Sequence, residues 1–263
     1  MKLLTLDLGT TALKVALWSD GRLIAERAAI IELQVQGLRA EQDATNWWAQ
    51  AVALVRELAP TDVDGIGVTA QMHAVVPIDA SGTPLAPVPI VMDRRARAEV
   101  AELSAKPGWR TIHAITGGRL DVTCVLPKLR HLARDPAVDA WRKARWLLPP
   151  KDFLRFRLTG EAATDPIDAA GTLLWNLRKG EWEPDLVELA GVRISEGAAV
   201  VEGTELRHSE FCRERGQFLT EPQNHRVVAI PTGLLGTVES LKPDCVAHPE
   251  YSLASLTSAE QQA

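Results

Sequence analysis

An apolar run, Leu3-Leu4-Thr5-Leu6-Asp7-Leu8, carries one acidic residue, breaks at Gly9-Thr10-Thr11 and resumes as Leu13-Lys14-Val15-Ala16-Leu17. Gly9 permits close backbone approach and unusual φ angles. Thr10 and Thr11 set hydroxyls beside exposed backbone N–H groups, a corner able to cup an anion. A carboxylate at Asp7 would repel a phosphate there unless a divalent cation lay between them. The residue types therefore point to nucleotide phosphates with Mg²⁺, which one or two carboxylates hold together with waters and phosphate oxygens. The plainer alternative is a hairpin whose aspartate caps its turn.

Two further stretches put chemistry at the ends of apolar runs. Val63-Asp64-Gly65-Ile66-Gly67-Val68-Thr69-Ala70 leads into Gln71-Met72-His73, and Val88-Pro89-Ile90-Val91-Met92 leads into Asp93-Arg94-Arg95. Ligands of open α/β sheets sit beyond the carboxyl ends of strands. Gln71, His73, Asp93 and Arg95 converging on one crevice would supply donors and acceptors for the hydroxyls of a polyol. Singly each has a structural alternative: a satisfied histidine, or an Asp-x-Arg ion pair.

The elements that must position these groups read as α/β. Strands at 3–8, 13–17 and 23–30 form an antiparallel set, with a turn at Ser19-Asp20-Gly21-Arg22. Asp43 and Thr45 are cap candidates for a helix over 46–59, with Trp48, Val52, Val55 and Leu58 at helical spacing. Trp47 and Trp48 are expected to pack that helix on the sheet, with sugar stacking as the alternative. Helices are expected over 94–106, 110–116, from Pro127, over 136–143, 151–159 and 182–189. In the helix over 151–159 the basic residues are expected on the solvated side, with Phe153, Leu154 and Leu158 inward. Asp165 and Asp168 are expected as cap and turn residues, with a ligand role as the alternative. Val227–Ile230 reads as one strand in a stretch without other periodicity, and the end, 255–263, reads as disordered.

With 263 residues, 46% hydrophobic and 24% charged, the chain has the composition of a globular protein with ample material for a core. Its net charge of −5 leaves no electrostatic footprint for nucleic acid or anionic membrane. The odd, widely spaced Cys124, Cys212 and Cys245 form no disulfide framework or ligand pair and fit a reducing, cytoplasmic setting. Asp7 interrupts the first apolar run too early for a signal peptide, and no run reaches the length of a membrane span.

Taken together the segments resemble the amino-terminal part of FGGY-family carbohydrate kinases of the xylulokinase type. The resemblance rests on Asp7-Leu8-Gly9-Thr10-Thr11, Glu41-Gln42-Asp43 with Trp47-Trp48, Gln71-Met72-His73 and Asp93-Arg94-Arg95. It continues through Leu126-Pro127-Lys128-Leu129, Lys151-Asp152-Phe153-Leu154, Leu158-Thr159-Gly160-Glu161, Asp165, Asp168 and Ala170-Gly171-Thr172. Asp-x-Gly-Thr-Thr by itself is shared with chaperone-type ATPases and other actin-fold proteins; the combination is specific.

The resemblance implies an actin-like, ribonuclease H-like domain with a mixed sheet flanked by helices over about 1–200. It implies ATP-dependent phosphorylation of a ketopentose such as D-xylulose. Asp7 would organise Mg²⁺, and Gly9, Thr10, Thr11 and Lys14 would face the ATP phosphates. Gln71, Met72, His73, Asp93 and Arg95 would line the sugar. The family usually has tryptophan two residues before the Asp93 position; here it is Val91, which removes a stacking surface. Beyond about residue 200 the Gly-x-Gly-Asp strand bearing the family's catalytic base and the ATP-binding domain find no counterpart. Residues 201–263 are therefore expected to be a divergent tail, through truncation, frame change or degeneration. The domain would bind sugar and be inactive alone, with a non-catalytic sugar-binding or regulatory module as the alternative. The sugar is the expected partner, and a homo-oligomer is left open.

Overall fold

The computed structural model describes residues 1–60, 63–135, 140–160 and 162–192, with the backbone of 218–219 and 226–229. The first strands are β1 (Lys2–Leu8), β2 (Ala12–Ser19), β3 (Arg22–Ile30), β4 (Gln34–Gln36) and β5 (Arg39–Gln42). Helix α1 (Ala44–Leu58) leads to β6 (Gly65–Ala70), β7 (Val76–Ile78) and β8 (Val88–Pro89). A helical region holds α2 (Arg97–Leu103), α3 (Trp109–Thr116), α4 (Val125–Arg134) and α5 (Ala140–Lys143). Then come β9 (Trp146–Leu148), α6 (Pro150–Thr159), α7 (Pro166–Gly171), β10 (Trp175–Asn176), β11 (Glu181–Trp182) and α8 (Pro184–Leu189). Strands β12 (Phe218–Leu219) and β13 (Arg226–Ala229) complete the order.

The main sheet has six strands in the order β12-β13-β6-β1-β2-β3. β1, β2 and β3 are antiparallel, whereas β6 runs parallel to β1 and β13 parallel to β6. This is the expected mixed sheet flanked by helices. The strand expected near 227–230 is β13, one residue earlier at each end. The stretch 255–263 and part of the helix expected over 136–143 lie outside the described residues.

Two apolar cores flank a seam. The first packs β1, β2 and β6 against α1 and α6 through Leu6, Leu8, Val15, Trp47, Val68 and Phe153. The second gathers α2, α3, α4 and α8 around Leu103, Ile112, Leu126, Leu129, Trp175 and Leu186. α1 enters the first core on Ala44, Trp47, Ala51 and Leu54; Trp48, Val55 and Leu58 flank that face. The sequence stripe was thus one position off centre, because Trp47 is the residue sealed in. Trp48 packs partly buried against the same core, and the guanidinium of Arg157 lies over its ring at 5.0 Å. Asp43 caps α1, accepting from Thr45 N at 2.8 Å. Asp43→Ala should cost about 1 kcal/mol of stability in chemical denaturation, the usual loss for an N-cap.

The helix expected over 94–106 begins later, at Arg97, and the run 88–92 is strand only over Val88–Pro89. That strand joins a small sheet, β4-β5-β8, rather than the main one. No helix among the described residues is long and apolar enough to cross a membrane.

Candidate functional site

The parallel pairing of β1 with β6 runs from Leu3↔Gly65 to Leu8↔Ala70, so both strands end at the same level. The Gly9–Thr11 corner and the Gln71–His73 segment therefore leave the sheet side by side, and Gln71 N donates to Leu8 O at 2.7 Å. Asp7 lies at the end of β1, half-buried, opposite Lys14 of β2. Burial pushes its carboxyl above the ordinary aspartate range, with Lys14 pulling the other way. Lys14 is exposed, as is Thr11, while Thr10 is half-buried.

Gly9 N donates to Ala12 O at 2.9 Å, closing the corner. Gly9 does not take a positive φ, contrary to one of its expected uses. Its need for glycine is close approach: a Cβ would stand 3.2 Å from Ala12 O.

Beside the corner lies a recess open to solvent, lined by Gln71, Met72, His73 and Ala74 from one side. Pro149, Pro150, Asp168, Gly171 and Thr172 line the other. His73 holds a left-handed backbone, φ 61°, uncommon outside glycine. Its Nδ1 is buried without a hydrogen-bond partner. Burial, then the charge of Lys128, lowers its pKa, so the imidazole is neutral at pH 7. Met72 is 43% exposed and gives the recess an apolar rim.

Asp93 and Arg95 do not line this recess. Asp93 is sealed in and accepts from Ala40 N at 3.0 Å and from Arg95 Nε at 2.9 Å. Arg95 also pairs with Glu41. Burial raises the Asp93 carboxyl, but the bonds from Arg95 and Ala40 outweigh it and hold the group below its ordinary range. The convergence expected in the sequence fails because β8 belongs to the small sheet with β5, whereas β6 belongs to the main one. The two segments are instead joined by Lys128 of α4, whose Nζ donates to the carbonyls of His73 at 2.8 Å and Ile90 at 2.7 Å.

Lys128 is a site residue that residue-by-residue reading passed over. It shares the apolar stripe of α4 with Val125, Leu129 and Leu132, and a lysine on such a stripe is the available signal. Burial lowers its pKa to about 8. Lys151 and Arg155 are a second surprise, since both are almost fully buried rather than solvated. Lys151 Nζ lies 2.5 Å from Asp152, 2.9 Å from Asp165 and 3.3 Å from Asp168. These carboxylates outweigh burial and raise its pKa, whereas burial raises that of Asp152. Asp165 does cap α7 as expected, accepting from Ile167 N and Asp168 N.

Comparison with known proteins places this arrangement. Residues 2–211 match the family described as FGGY carbohydrate kinases, N-terminal domain. The chain belongs to the FGGY family of carbohydrate kinases. Xylulose kinase of Escherichia coli K12 is 30% identical to this FGGY domain over 207 residues, 76% of the chain and 42% of that protein. A solved xylulose kinase from Brucella ovis is 31% identical, with a TM-score of 0.68 over 76% of this chain and 42% of its own. That of Rhodospirillum rubrum is 26% identical, with a TM-score of 0.73 over 88% of this chain and 49% of its own. The FGGY chain thus spans under half the length of these relatives. Their shared fold is the actin-like, ribonuclease H-like one.

Proposed function

We propose that this domain forms the sugar-holding wall and one side of the phosphate path of an ATP-dependent sugar kinase acting on a ketopentose such as D-xylulose. The observation carrying this reading is the level ending of β1 and β6, which brings the Gly-Thr-Thr corner against the Gln71–His73 segment. Gln71, Met72 and His73 face the sugar. Asp93 and Arg95, locked to each other and to Glu41, act on it by shaping the turn that Lys128 ties to His73. Neutral His73 offers Nδ1 to a hydroxyl without introducing charge.

Gly9, Thr10, Thr11 and Lys14 address the phosphates of ATP. No group of three or more His, Cys, Asp or Glu gathers as a metal cage among the described residues. A lone half-buried carboxylate, Asp7, with hydroxyls nearby fits Mg²⁺ held mainly by waters and phosphate oxygens. When bound, that ion would neutralise charge on the transferring phosphoryl group. An ionised Asp7 at the strand end would fix where the ion sits. Residues 1–200 act as this sugar domain, and residues 201–263 contribute β12 and β13 to one side of its sheet.

Phosphoryl transfer needs a water-excluding cleft with two walls. This chain alone therefore binds sugar with little turnover. Thermal-shift titration with D-xylulose, other ketoses and polyols should raise the melting temperature for at least one ketose. Failure of every sugar to do so would sink the reading. In a coupled assay with ATP and Mg²⁺, turnover above about 1 per second would contradict inactivity of the chain alone, since kinases run at roughly 1–100 per second.

A further inference from the structure

Between the phosphate corner and the recess lies a chain of two buried amides. Gln42 Nε2 donates to Thr10 O at 2.7 Å, and Gln71 Nε2 donates to Gln42 Oε1 at 2.7 Å. Gln42 is fully buried at the end of β5, and Gln71 is 8% exposed at the edge of the recess. Gln71 Oε1 is buried and has no hydrogen-bond partner.

The polarity of this chain follows from its first member. A glutamine amide has a donor end and an acceptor end of nearly equal size, so either could face a neighbour. The Thr10 carbonyl can only accept. Gln42 must therefore turn its nitrogen to Thr10 and its oxygen to Gln71. Gln71 must then turn its nitrogen to Gln42, which leaves its oxygen as a buried acceptor without a partner on a residue that lines the recess. An acceptor without a partner in a buried place is costly, and a ligand donor would relieve it.

We infer that Gln42 is a positioning residue that fixes Gln71 as a hydrogen-bond acceptor, so that the site reads a hydroxyl donor on its ligand. The inference rests on the sugar-binding reading. It also makes the Thr10 carbonyl the common reference for the phosphate corner and the sugar wall. An Nε2 donor at Gln71 would have served a carbonyl or fluorine equally well; an acceptor there does not.

The test has two arms on the full chain. In deuterated protein labelled at glutamine and threonine, couplings across hydrogen bonds should run from Gln42 Nε2 to the Thr10 carbonyl and from Gln71 Nε2 to the Gln42 side-chain carbonyl. Their absence would overturn the relay whether or not any sugar binds. In the second arm, D-xylulose is compared with its singly deoxyfluorinated analogues by isothermal titration. Fluorine accepts but cannot donate, so at one position affinity should fall about three- to tenfold. Equal binding at every position would overturn the acceptor assignment. Gln42→Met frees Gln71 to turn and should shrink that discrimination. Gln42→Glu loses the bond to Thr10 but still offers Gln71 an acceptor, and should keep it. If D-xylulose itself does not bind, the sugar reading falls while the couplings still decide the relay.

Discussion

Lys151→Met is expected to destabilise the domain by about 3–5 kcal/mol at neutral pH, the cost of stripping one partner from a buried ion cluster. The lysine is 1% exposed and is the cation shared by Asp152, Asp165 and Asp168. Without it, the sealed carboxylate of Asp152 and the half-buried ones of Asp165 and Asp168 lose their shared cation and must either stay charged at a cost or take up protons. Their folded-state pKa values would then rise above the unfolded value of about 4. A group raised in this way supplies stability below its unfolded pKa and loses it as pH rises through the folded one. The deficit of Lys151→Met should therefore be large at pH 7 and shrink toward pH 4. Urea melts of both proteins across that range check it; a deficit independent of pH would show that lost packing, not charge, is responsible.

Lys128→Met should cost about 2–4 kcal/mol, because the buried carbonyl of Ile90 and the part-buried one of His73 lose their donor together. It should also abolish sugar-dependent stabilisation. The amine holds His73 in its left-handed conformation, and a side chain released from such a backbone moves out of the recess. The pH dependence has a defined sign. The folded pKa, about 8, lies below the unfolded value of about 10.4. Between them the unfolded chain binds more protons, so Lys128 contributes increasing stability as pH rises from about 8 to 10.4 and loses it as pH falls through 8. The neutral amine still has hydrogens for both carbonyls. The stability gap between the unaltered protein and Lys128→Met should therefore widen over that interval. Thermal melts with and without D-xylulose, repeated at pH 7, 8.5 and 10, measure both effects.

What could be read from the sequence was what local chemistry dictates. Asp7 with its Gly-Thr-Thr corner, the Asp43 cap and the Gln71–His73 strand end all depend on neighbours a few residues away, and each stands where expected. The four-residue crevice did not survive, because a short apolar run such as 88–92 looks the same in a main sheet or a side sheet. Only pairing with β5 decides it, and that pairing joins residues nearly fifty apart, Glu41 with Pro89. Lys128, Lys151 and Arg155 were passed over for a different reason. Charged residues are rarely buried, so the solvated side is the natural expectation. Apart from Asp152 beside Lys151, the partners lie beyond the reach of one helical turn: His73 and Ile90 for Lys128, Ala163 for Arg155, and Asp165 and Asp168 for Lys151. The amide chain from Thr10 through Gln42 to Gln71 was equally hidden, since three separate motifs must meet before it exists.

The pairing of β1 with β6 acts as a ruler. Adjacent strands lie about 4.8 Å apart whatever their side chains. The spacing between the phosphate corner and Gln71 is thus a property of backbone hydrogen bonds, and substitution at the rim leaves it unchanged. A register slip of one residue would turn every side chain of β1 to the opposite face and destroy the core at Leu6 and Leu8. Evolution toward longer or shorter sugars is consequently denied this dimension. It must work through Met72, the Pro149-Pro150 segment and whatever faces them across the recess.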